Sequence, residues 1–72
     1  WGDESLTNED YKLIEAVVSP NSFLIGKTLQ QIAFRERFRA TVLAIRHHGQ
    51  LLREKISDTP LEAGDVLLIE AR

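Results

Sequence analysis

The chain has 72 residues and no cysteine, so it forms one small domain with no disulfide framework, thiolate nucleophile or cysteine-based zinc site. A domain of this size buries only about 60% of its unfolded surface, which leaves association with a second copy as the route to added stability. The net charge of −2 argues against binding a nucleic-acid polymer, because general binding of that kind needs many neutralised phosphates. The charge is segregated, however. Residues 1–20 carry five acids against Lys12, residues 27–55 carry seven bases against Glu36 and Glu54, and residues 56–72 carry four acids against Arg72. A local basic patch of that kind suits one small anion.

Residues 1–10, WGDESLTNED, are polar and acidic and read as a linker or lead-in, with the folded domain over residues 11–72. No run approaches the ~20 apolar residues of a membrane helix, and no signal peptide is visible. With Trp1 rather than Met at its start, the chain reads as a domain of a longer protein. Tyr11 to Val18 alternates, with Ile14, Ala16 and Val18 on one face, and predicts a strand. Ser19-Pro20-Asn21-Ser22 ends it in a turn. Thr28-Leu29-Gln30-Gln31 matches a capping box, and Leu29, Ile32 and Ala33 follow at helical spacing. A short helix is therefore expected from Thr28 to Phe34 or Arg35, held by packing because two turns are unstable alone.

Ala40 to His47 reads as a strand with Thr41, Leu43 and Ile45 on one face and Val42 and Ala44 on the other, both at least partly covered. His48-Gly49 suits a two-residue hairpin turn, and Gln50 to Ile56 returns as a more polar strand nearer an edge. Thr59 to Asp65 is a loop closed by a tight turn, with Gly64 as its left-handed residue. Val66 to Ile69 reads as a central strand buried on both sides. The order strand, helix, hairpin, strand defines an α+β domain with a short helix packed on a small sheet.

The chemistry-bearing residues give no catalytic constellation. Ser22 and Thr28 have no activating neighbour in sequence and read as turn and cap. Gly26-Lys27-Thr28 imitates the end of a phosphate-binding loop, but Asn21 stands where that loop needs its upstream glycine. In a strand His47 and His48 would face opposite ways and could not both ligate one metal; a turn would relax this, but no third ligand lies nearby in sequence, and both are read as turn residues. Asp65 after Gly64 is expected to lock the turn by accepting backbone amides. Arg35, Arg37 and Arg39 either converge on an anion or form a solvated rim around Glu36. Arg37 and Arg39 fit the rim. For Arg35 an anion contact and stabilisation of the helix C-terminus are both open.

Four segments together resemble the TrkA C-terminal domain, the C-terminal lobe of regulators of potassium conductance. They are Ser22-Phe23-Leu24-Ile25-Gly26-Lys27-Thr28-Leu29, Phe34-Arg35, Val42-Leu43-Ala44-Ile45-Arg46 and Leu61-Glu62-Ala63-Gly64-Asp65-Val66-Leu67-Leu68. The resemblance runs from about Leu13 to Ala71. It implies a small βαβββ-type domain, its short helix on a mostly antiparallel sheet, that pairs as a homodimer and is not an enzyme. It also implies a place on the cytoplasmic side of the membrane, within a potassium or cation transporter or a sodium-coupled anion permease. The wording around FRERF, TVLAIRHHG and LREKI is similar to copies in sodium/sulfate or dicarboxylate-type permeases. Some members bind cyclic di-adenosine monophosphate at the dimer interface. By that resemblance the ligand-binding residues here would be Arg35, Thr41 and Val42, and the ligand a small anion such as a cyclic dinucleotide. The chain departs from the better binders at Ala33, where an acid often sits, and at Thr41, where an asparagine often sits. The reading that emerges is a cytosolic regulatory, ligand-binding and dimerisation domain of a membrane transport protein. Its rivals are a purely architectural dimerisation module and, from another class, a small hydrolase or metal-dependent enzyme.

Overall fold

The alternating apolar segments form one antiparallel sheet, in a computed structural model that describes residues 11–71. The lead-in expected over residues 1–10 lies outside the described residues. The strands are β1 (Lys12–Val17), β2 (Ala40–His47), β3 (Gln50–Leu52) and β4 (Val66–Ala71). They are arranged β1-β4-β2-β3. The last strand in sequence therefore lies in the middle, as its apolar run requires. In register, Ile14 and Val42 flank Ile69 from opposite sides, and Ala16 and Ile45 flank Leu67. One helix, α1 (Phe34–Phe38), packs on the inner face of the sheet. This is the expected α+β fold, with β-α-β-β-β order.

The core lies between the inner face and the segments that cross it. Ile45, Leu61 and Leu67 are fully buried, and Val18, Leu29, Ile32, Phe34, Val42 and Ile69 surround them. Leu61 belongs to no named strand, yet its backbone is clamped: its N–H donates to the Lys27 carbonyl (2.9 Å), and its carbonyl accepts from the Gly26 N–H (2.8 Å). This pairing, a parallel bridge of Ile25 with Leu61, fastens the Phe23–Lys27 segment to the loop before β4.

Four expectations are corrected. The helix is displaced toward the C-terminus. The capping box forms, with the Thr28 N–H donating to Gln31 Oε1 (3.0 Å) and the Gln31 N–H donating to Thr28 Oγ1 (3.1 Å). The turns that follow do not become a regular helix, because Ala33 takes a left-handed conformation (φ 51°) and the α-helix starts after it. The second departure is in β2, where the register shifts between Val42 and Ala44. This bulge leaves Leu43 unpaired and brings Ile45 onto the same face as Val42, so the simple two-face alternation fails. Third, β3 ends at Leu52 rather than Ile56, and Ile56–Asp58 forms a 3₁₀ turn. Fourth, β4 is fully buried on its inner face only, for Val66 and Leu68 on the outer face are partly exposed.

Candidate functional site

Arg35, Thr41 and Val42 are brought together by α1 and the start of β2. Phe34 anchors the helix in the core, and its ring lies 4.7 Å from that of Phe38 one turn on. With Phe34 facing inward, Arg35 is turned toward the open side. Arg39 ends the helix in a left-handed conformation (φ 54°) and reverses the chain into β2. The reversal sets Thr41 and Val42 beside Arg35 along a cleft of about 500 Å³. Its apolar floor comes from Leu29, Phe34, Val42 and Ile56, and Gln30, Ser57 and Glu36 add polar groups. A second, more polar recess of about 330 Å³ shares Arg35 and Thr41 and adds Arg39 and Glu70.

The three arginines thus part company. Arg35 and Arg39 face a common recess, whereas the Arg37 guanidinium lies over the Phe23 ring, 5.5 Å from its centroid. Among the described residues, no ion pair engages the guanidinium of Arg35 or Arg39. Both are exposed. An unpaired guanidinium fork beside a hydroxyl and an apolar floor can accept an anion that carries a flat apolar group. The residues missed by sequence reasoning are Gln30, Ile56 and Ser57. Ile56 and Ser57 lie far from Arg35 in sequence, and they meet Gln30 only in the fold, where the Gln30 N–H donates to the Ser57 carbonyl (3.2 Å).

At the other end of β2 the structure differs from expectation. His47 and His48 do not point apart: their rings meet edge to face with centroids 4.1 Å apart. His48 leaves the extended conformation for the left-handed region (φ 51°), which turns its side chain back toward that of His47. Both imidazoles approach Glu62, and Asp65 lies beneath His47. Asp65 also locks its turn as expected, accepting from the Glu62 N–H (3.0 Å).

The fold is that of a small α+β domain, one helix packed on a four-stranded antiparallel sheet with an open cleft beside the helix. Residues 13–72 match the TrkA-C domain model, and the chain belongs to that family. It is 40% identical over 65 residues to the uncharacterized transporter sll0640 of Synechocystis, covering 90% of this chain and 11% of that protein. It is 39% identical over 57 residues to sodium/sulfate cotransporter 2 of Chlamydomonas reinhardtii, covering 79% of this chain and 6% of that protein. The chain therefore spans about one tenth or less of these relatives. Among solved structures, the RCK_C domain dimer of S. agalactiae BusR in complex with c-di-AMP has the same fold. It superposes with a TM-score of 0.77 at 24% identity, over 88% of this chain and 78% of that one.

One expectation about partners is overturned. BusR has also been solved in complex with promoter DNA, and that structure matches with a TM-score of 0.76 at 25% identity, over 83% of this chain and 29% of that one. The acidic balance of the small domain therefore does not exclude a nucleic-acid polymer as partner. The physical reason is one of scale: the charge of a segment that makes up 29% of a chain does not bound what the whole chain binds.

Proposed function

We propose that this domain binds a small anionic ligand at the interface of a homodimer and regulates a membrane transport protein from the cytoplasmic side. The observation that carries the reading is the meeting of Arg35, Thr41 and Val42 along one cleft, in a fold shared with a c-di-AMP-bound dimer. A cyclic dinucleotide suits the chemistry of the cleft. Its phosphates would take the Arg35 guanidinium and the Thr41 hydroxyl, and a purine would lie against Phe34, Val42 and Ile56. The similarity to sodium/sulfate cotransporters supports a sodium-coupled anion permease as the parent.

The dimer has a surface to form on. An apolar groove of about 360 Å³ runs between β1 and α1, lined by Ile14, Val17, Phe38 and Ile69 among others. Ile14, Val17 and Phe38 are 44%, 65% and 46% exposed, more than a small monomer gains by leaving bare. Phe34 and Ala40 line both the groove and the ligand cleft, so a second copy seated in the groove would roof the cleft.

Calorimetric titration of c-di-AMP, adenine nucleotides and simple oxyanions into the wild-type chain and two variants tests the ligand. Charge-assisted bonds from one guanidinium contribute about 1.5–3 kcal/mol. Arg35→Ala is therefore expected to weaken binding about tenfold or more. Arg37→Ala, removed from the cleft, is expected to leave it nearly unchanged. Absence of binding below the millimolar range across all these ligands would replace this reading with that of an architectural dimerisation module.

A further inference from the structure

The His47-His48 pair lies outside the proposed ligand cleft. Thr41 and His47 are six positions apart along β2, roughly 20 Å at the rise of a strand, and the two features occupy opposite ends of the sheet. At the His end, the β2–β3 turn and the loop before β4 bring three side chains together. One ligand atom from each of His47, His48 and Glu62 lies within 4.8 Å of the other two. The Glu62 carboxylate is central, with Oε1 3.1 Å from His48 Nε2 and Oε2 3.8 Å from His47 Nε2.

We propose that His47, His48 and Glu62 form a binding site for a divalent transition-metal ion of the Zn²⁺ class. Three features of the geometry support it. The first is the donor set: two imidazole nitrogens and one carboxylate oxygen is a combination Zn²⁺ takes, with water completing the tetrahedron. The second is spacing. At metal–ligand bonds of about 2.0–2.1 Å, tetrahedral ligand atoms lie about 3.4 Å apart. The present separations, up to 4.8 Å, close by small rotations of His48 and Glu62, both exposed side chains.

The third feature is Asp65. It is 3% exposed, and its two carboxylate oxygens lie 2.9 and 3.0 Å from His47 Nδ1. An ionised carboxylate only accepts hydrogen bonds, so the proton of this contact sits on Nδ1. In neutral imidazole that leaves the lone pair on Nε2, the nitrogen that faces Glu62. A carboxylate behind a ligating histidine, fixing ring and tautomer, is the usual outer-shell support of a zinc-bound imidazole. Asp65 is itself held by the Glu62 N–H at 3.0 Å, so one turn supplies both the ligand carboxylate and the group that orients His47. An ion here ties the β2–β3 hairpin to the entry of β4, a cross-link between loops in a chain that has no cysteine.

The test is titration of Zn²⁺ alone into the chelator-treated 72-residue chain, read by calorimetry and by thermal unfolding, with Co²⁺ absorption as a report on coordination. His48→Ala and Glu62→Gln alter exposed side chains and leave the core intact. The wild-type chain is expected to bind about one ion with a dissociation constant on the order of micromolar, and its unfolding midpoint to rise by several degrees in excess metal. Each variant is expected to lose at least tenfold in affinity and to show no four-coordinate Co²⁺ spectrum. Wild-type binding no tighter than millimolar overturns the proposal, as does unchanged affinity in both variants.

Discussion

Gly64 turns the chain into β4 with φ +91°, and its N–H donates to the Val18 carbonyl at 2.8 Å. A Cβ built there meets nothing within 4 Å, so a substitution is opposed by the backbone and not by a clash. Gly64→Val is expected to destabilise the domain by about 1–3 kcal/mol, seen as a lower denaturant midpoint; an unchanged midpoint would show that the turn tolerates a β-branched residue. Arg39 presents the opposite case. It holds a similar left-handed angle (φ 54°) with a side chain attached, and Arg39→Gly is expected to stabilise by about 0.5–1 kcal/mol in the same assay. The glycine turns were legible in sequence because glycine is the residue that adopts such angles freely. The left-handed Ala33, Arg39 and His48 were not, since nothing in an alanine or arginine announces the conformation that the surrounding fold imposes. His47 and His48 face apart only if both are in a strand; the left-handed turn at His48 joins them.

At the scale of elements, the strands were legible and the helix was not placed correctly. Strands β1, β2 and β4 carry apolar runs bounded by turn residues, and their bounds fell close to expectation. The helix signal was a capping box followed by Leu29, Ile32 and Ala33 at helical spacing. Those residues do pack inward at Leu29 and Ile32, but as irregular turns, and the regular helix uses the arginine-rich FRERF segment instead. Packing decided this: Phe34 fills the core and Phe38 stacks on it, which outweighs the weak local preference of so short a helix. The bulge at Leu43 was equally invisible, because it depends on the partner strand. Arg35, Thr41 and Val42 were picked out by family resemblance, and the fold brings them to one cleft through a chain reversal at Arg39. Leu61 is the element-scale residue on which most depends. It lies in a loop segment, is 0% exposed, and its backbone pairs across to Gly26 and Lys27. Leu61→Ala is expected to cost about 2–5 kcal/mol, a loss measurable by chemical denaturation; a cost near that of a surface substitution would mean the loop repacks without it.

For the molecule as a whole, the sheet has two edges, β1 and β3, and the β1 side carries the apolar groove with Ile14, Val17 and Phe38 at its surface. Ile14→Lys would place a charge in that groove while leaving the core residues untouched, and is expected to shift the chain toward monomer in sedimentation. A variant that remains as dimeric as wild type would move the interface elsewhere. A ligand held between two copies has a stronger consequence. A ligand that contacts both copies must strengthen their association, because binding and dimerisation are thermodynamically linked, whereas a ligand confined to one copy leaves association unchanged. Sedimentation equilibrium of the wild-type chain across micromolar concentrations, with and without saturating c-di-AMP, measures this linkage directly. A monomer–dimer equilibrium is expected whose dissociation constant falls at least tenfold with the ligand. A chain that stays monomeric throughout, or a dimer whose dissociation constant is indifferent to a ligand that calorimetry shows to be bound, would contradict it.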